Sequence, residues 1–98
     1  MPVECIKQQG GKVLCKFSGR MDTKRCLEAE KELMESIDCA RNIVFDLDAV
    51  EYIDSSFLRI CGKAYYKVDA GNFSIINVTP TVRKIFKMTG LAERLNLN

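Results

Sequence analysis

In the segment KVLCKFSG, Val13, Cys15 and Phe17 alternate with Leu14, Lys16 and Ser18, a period of two. That period marks a strand with one face covered. VECIKQ precedes it as a shorter apolar segment, and the intervening QGGK offers glycines for a tight turn. The two segments are therefore expected to pair as an antiparallel hairpin. After SGR the period lengthens to that of a helix, capped by Asp22 or Thr23 and running to about Ile37. Leu27, Glu30, Met34 and Ile37 fall along one side of it, and Cys26, Ala29 and Leu33 widen the apolar stripe. Charged residues cover the rest, as expected of a helix lying on a sheet.

RNIVFDLDAVEYI follows, and its core from Ile43 to Leu47 is short, β-branched and nearly all apolar. Such a run predicts a strand in the middle of a sheet. The next helix is expected from about Ser55 to Val68, with Leu58, Cys61, Tyr65 and Val68 at helical spacing and Gly71 where a glycine would stop it. NFSIINV predicts another strand. TPTVRKIFKMTG then predicts a helix with Thr79 as its cap, Pro80 at its first position, Gly90 at its end, and Val82, Ile85 and Phe86 facing inward. The tail LAERLNLN is a candidate for a short edge strand. The order β-β-α-β-α-β-α gives an α/β fold. A hairpin opens it, strand–helix–strand crossovers make the later pairings parallel, and a mixed sheet of four to five strands carries three or four helices.

Composition narrows the function classes. The 98 residues suit one domain spanning 1–98. No apolar run approaches the roughly 20 residues of a membrane span, and MPVECIKQQGGK lacks the layout of a secretory signal, so a cytoplasmic protein is expected. A net charge of +2, with the basic cluster VRKIFK not interleaved with aromatics, gives no reason to expect a nucleic-acid partner. The 5 cysteines contain no C-x-x-C pair, and Cys15 and Cys61 fall on apolar positions where a reduced thiol acts as a small hydrophobe. Without histidine, the usual zinc spacings and the Ser-His and Cys-His catalytic arrangements are absent, and neither a metal nor another cofactor is expected. An enzyme acting through Asp22, Asp46, Asp48 or Asp54, with the last three sharing a divalent metal, is a weaker reading, because aspartates at strand ends more often cap turns.

The chemistry concentrates at Asp54-Ser55-Ser56, between the central strand and the second helix. One carboxylate or hydroxyl there suffices to cap the helix. A loop after a central strand is also where α/β sheets place ligand sites, and a helix start carries free N–H groups and positive potential that stabilise an added phosphate. Phosphoserine beside Asp54 would change how a partner surface is met, so the triplet points to a modification or docking site.

IVFDLDAVEYIDSSFLRICGKAYYKV, FSGRMD and INVTPTVRKIFKMTGL together resemble the STAS domain of bacterial anti-sigma factor antagonists, over nearly the whole chain. The resemblance implies a partner-switching regulator rather than an enzyme. In that family an anti-sigma factor serine kinase uses ATP to phosphorylate the serine of the Asp-Ser motif, and a metal-dependent serine phosphatase restores it. The unphosphorylated form binds the anti-sigma factor and frees the sigma factor. By position the phosphoserine falls on Ser55, with Ser56 the neighbour that could be confused with it. Asp22 matches the family aspartate near the kinase-contact surface, although a plain N-cap is an equal reading. The implied partner surface is then Asp22, Asp54, Ser55, Ser56, Phe57 and Arg59.

One departure stands out: the family has glycines where this chain has Phe57 and Arg59. At a helix start these side chains are expected to add bulk and charge near the serine. That leaves two readings: a kinase adapted to them, with Arg59 even pairing with the phosphate, or a non-switching STAS scaffold or transporter-associated subunit.

Overall fold

The computed structural model describes residues 2–90 and Leu95. Strands β1 (Val3–Lys7) and β2 (Lys12–Met21) run antiparallel, joined by a short 3-10 turn at Gln9–Gly11. Gly10 and Gly11 there take φ of 74° and 80°, the left-handed region that side chains with a Cβ avoid. Helix α1 (Thr23–Ile37), strand β3 (Asn42–Ile53), helix α2 (Ser55–Tyr65), strand β4 (Phe73–Ile76) and helix α3 (Pro80–Thr89) follow. The four strands lie in sequence order, with β2, β3 and β4 parallel. The mixed sheet with helical crossovers is the expected α/β fold. The proposed edge strand in LAERLNLN lies outside the described residues apart from Leu95, which is buried in the core.

Local chemistry explains the helix boundaries. Asp22 caps α1, its Oδ1 accepting the Arg25 N–H at 3.0 Å. Thr79 caps α3, Pro80 occupies its first position, and Gly90 closes it at φ 74° with its N–H donating to the Lys87 carbonyl. Helix α2 ends at Tyr65, short of the expected Val68, although Val68 still packs against the core from the turn that follows. Apolar spacing reports burial, and burial continued past the last helical turn.

Two expectations about helix faces are corrected. On α1 the buried residues are Cys26, Ala29, Leu33 and Ile37, while Leu27 is 67% exposed. On α2 they are Phe57, Ile60, Cys61 and Ala64, so the inward stripe is turned about one residue from the Leu58–Cys61–Tyr65 line. Both helices carry more apolar residues than one face can bury, and the phase is set by what each meets. For α2 that is an aromatic cluster. Phe57 packs edge-on against Phe17 with ring centroids 5.0 Å apart, and Phe17 against Phe45 at 4.8 Å.

Strand β3 extends well beyond the apolar run Ile43–Leu47 because its pleat slips twice. From Lys16↔Asp46 to Ser18↔Ala49, and from Gly19↔Val50 to Arg20↔Tyr52, β3 uses one residue more than β2. Its buried inward residues are thus Ile43, Phe45, Leu47, Val50 and Ile53, with the spacing widening from two to three. Such bulges re-aim a strand end, here the one that leads into α2.

Candidate functional site

Parallel register builds the site. Met21 lies opposite Ile53, so the next residues, Asp22 and Asp54, leave the sheet side by side and each starts a helix. Two helix N-termini therefore open at the same end of the sheet, each contributing partial positive charge from unpaired N–H groups. Gly19 of FSGRMD lies inside β2, at the second slip of its register with β3. Its φ is +77°, and a Cβ there would sit 3.4 Å from Arg25 Nη2, the atom that donates to the Ser18 carbonyl at 2.8 Å.

Asp54 is bound at both carboxylate oxygens. Oδ1 accepts the Ser56 N–H at 2.9 Å, the N-cap bond, and Oδ2 accepts the Thr23 hydroxyl at 3.1 Å. Thr23 Oγ1 also lies 3.0 Å from Ser56 Oγ. Thr23 has one hydroxyl proton and gives it to Asp54, so the Ser56 hydroxyl must donate to Thr23. The result is a chain from Ser56 through Thr23 to Asp54 that ties the start of α2 to the start of α1. Ser55 takes no part in it: its side chain is exposed, with no hydrogen-bond partner among the described residues. The adjacent serines are alike in sequence and different in availability.

The other candidate residues separate. Phe57 is wholly buried beneath the site, which corrects the expectation that its bulk stands at the surface and removes it from any contact surface. Its position on the inward side of α2 follows from the aromatic cluster below it. Arg59 points across to α1, where its Nη2 meets Glu30 Oε1 at 2.9 Å, and Lys63 reaches Glu30 Oε2 at 2.7 Å. The Lys63 and Arg59 bonds hold the Glu30 carboxyl below its ordinary pKa. Glu30 interrupted the expected inward line on α1 because it serves the α1–α2 seam. Asp46 stands apart from Asp22 and Asp54: its Oδ1 accepts the Asp48 N–H at 3.0 Å and Asn77 Nδ2 at 3.2 Å, fixing the bulged part of β3 to the end of β4. Among the described residues no group of three or more potential metal-binding side chains comes together. None of their helices is long and apolar enough to cross a membrane.

Sequence reasoning passed over Thr23 as anything but an alternative cap and placed Leu27 in the core. Thr23 reaches a partner 31 residues away, which no local pattern signals. Leu27, one helical turn beyond Thr23, leaves an exposed apolar side chain on α1.

Solved structures share this fold. An anti-sigma factor antagonist from Mycobacterium paratuberculosis superposes with a TM-score of 0.77 at 23% identity, over 97% of this chain and 84% of that one. SpoIIAA, an anti-sigma factor antagonist, in its unphosphorylated form gives 0.69 at 17% identity, over 88% and 82%. The Bacillus cell fate determinant SpoIIAA in its phosphorylated form gives 0.69 at 18%, over 98% and 90%. At these identities the likeness is one of fold. No curated protein matches the chain in sequence. The model of the STAS domain matches residues 5–98, nearly the whole chain, and on that match the protein belongs to the STAS domain family.

Proposed function

We propose that this STAS domain is a partner-switching regulator of the anti-sigma factor antagonist type, controlled by phosphorylation of Ser55. The observation that carries the reading is the difference between the two serines: Ser55 is exposed and unbonded at the first position of α2, whereas Ser56 is committed to Thr23. An anti-sigma factor serine kinase would transfer the γ-phosphoryl group of ATP to Ser55 Oγ, releasing ADP and passing the hydroxyl proton to its own base. The helix N-termini favour the phosphate locally. Its roughly −1.5 to −2 charge would stand beside Asp54 and Asp22, turning a weakly charged docking surface strongly negative. That change is the physical basis for losing the partner, and a serine phosphatase would reverse it. Exposed Leu27, next to Thr23, supplies an apolar anchor for the unphosphorylated complex. Fold neighbours described as anti-sigma factor antagonists, one of them phosphorylated, support the same reading.

The non-switching alternative drew on Phe57 and Arg59 in place of glycines. Phe57 is buried and Arg59 is paired with Glu30, which weakens that alternative. The test uses a candidate anti-sigma serine kinase with ATP, and mass spectrometry to map the phosphate. Phosphate is expected on Ser55 in the wild type and in Ser56→Ala, and absent in Ser55→Ala; Ser55→Asp should weaken kinase binding at least tenfold. Phosphate on Ser56 alone, or unchanged binding by Ser55→Asp, would overturn the proposal.

A further inference from the structure

The sheet edge remote from α2 brings two cysteines together. Cys5 of edge strand β1 lies directly opposite Cys15 of β2. The ladder between these strands is bracketed by the bonds from Gln8 N–H to the Lys12 carbonyl and from Ser18 N–H to the Pro2 carbonyl. Hydrogen-bonded pairs alternate with non-hydrogen-bonded ones along an antiparallel ladder, so counting three residues in from either bracket makes Cys5–Cys15 a non-hydrogen-bonded pair. Pairs of that kind hold their Cα atoms about 4.5 Å apart with side chains close, inside the roughly 4.4–6.8 Å range of disulfides.

Both thiols lie on the pleat that faces α1. Cys15 is fully buried, and Cys5 is partly exposed where Ser36 of α1 reaches it. Their shared hydrogen bond lowers the Cys5 thiol to about 7, against burial, while the same bond and burial push the Cys15 thiol up. Ser36 also favours the Cys5 thiolate, and Glu32 of α1 opposes it. Ser36 further lines a cavity of about 230 Å³ that opens between Lys7, Lys12, Glu35 and Asp38. The pair thus combines an accessible sulfur that ionises readily with a buried sulfur held against it, the layout of an attacking and a resolving thiol.

We propose that Cys5 and Cys15 form a redox-active dithiol that closes reversibly to a cross-strand disulfide, with a hydroperoxide as oxidant. The Cys5 thiolate attacks the peroxide O–O bond, giving a sulfenic acid on Cys5 and hydroxide. The Cys15 sulfur then attacks the Cys5 sulfur, the S–O bond breaks, and the hydroxyl leaves as water with the Cys15 proton. Two thiols lose two electrons in total, and one hydrogen peroxide becomes two waters. A small dithiol reverses the bond by thiol exchange. This site is separate from the Ser55 reading, and neither outcome bears on the other.

The test treats the full chain with hydrogen peroxide, blocks remaining thiols with iodoacetamide, and maps peptides without reduction. The expected product is a Cys5–Cys15 linked peptide lighter by two hydrogens, with Cys39 still alkylated and the link lost on reduction. In Cys15→Ser, Cys5 should instead be captured as a sulfenic acid by dimedone. In the reduced wild type, Cys5 should alkylate at least tenfold faster than Cys15. Recovery of both cysteines as alkylated peptides after oxidation, or of Cys5 linked to any other cysteine, would overturn the proposal. Absence of dimedone adduct on Cys5 in Cys15→Ser would do the same.

Discussion

Replacing Phe57 with the glycine usual in the family separates a surface residue from a core residue. Phe57 has no exposed area, stands edge-on to Phe17 at 5.0 Å and 86°, and lies 6.3 Å from Phe45. Truncating a buried phenylalanine to alanine costs about 3–5 kcal/mol, because the transfer energy is lost and a cavity remains. The rings around it are fixed to the two interior strands, so the site has little freedom to collapse and the cost belongs toward the upper end. Losing the aromatic pairing accounts for about 0.5–1.5 kcal/mol of that. Glycine adds about 1 kcal/mol through its poor helix propensity. A domain of this length has a total stability of about 5–15 kcal/mol. Phe57→Ala should therefore fold with a greatly reduced urea midpoint, and Phe57→Gly should be close to unfolded at room temperature. Far-UV circular dichroism followed through a urea titration measures both. If either variant loses less than about 1 kcal/mol, as exposed positions do, the placement of Phe57 beneath the site is wrong.

Two further predictions concern the seam between the helix starts. Asp54→Ala removes the cap of α2 and leaves the Thr23 hydroxyl without its acceptor, and should cost about 1–2 kcal/mol; Asp54→Asn keeps an acceptor for the Ser56 N–H and should cost less than half of that by the same titration. Equal losses for the two variants would show that the cap bond contributes nothing. Glu30→Gln breaks the pairs to Lys63 and Arg59, and since both cations are about half exposed, at 46% and 48%, the loss near neutral pH should stay at or below about 1 kcal/mol. The folded-state pKa of Glu30 lies below its ordinary 4.5, so its stabilisation is complete above that value and disappears as pH falls through the folded-state pKa. Thermal melts of wild type and Glu30→Gln should therefore converge in acid, and a gap that does not narrow as pH falls below 4.5 would refute the assignment.

Element order and helix starts were legible in the sequence because each depends on neighbours a few residues away. Asp22, Asp54 and Thr79 cap their own helices, Pro80 and Gly90 act through their own backbone angles, and the alternation of Val13, Cys15 and Phe17 needs only a covered face. Other features depend on meetings between distant segments, and only the tertiary structure decided them. The phase of α2, and with it the burial of Phe57, follows from rings on β2 and β3. The exposure of Leu27 follows from which side of α1 the sheet and α2 leave uncovered. Ser55 and Ser56 become different residues through Thr23, on another helix, and Cys5 meets Cys15 through strand register. A chain can state its local hydrogen bonds in its own order; which of two similar side chains is left free depends on the element packed against it.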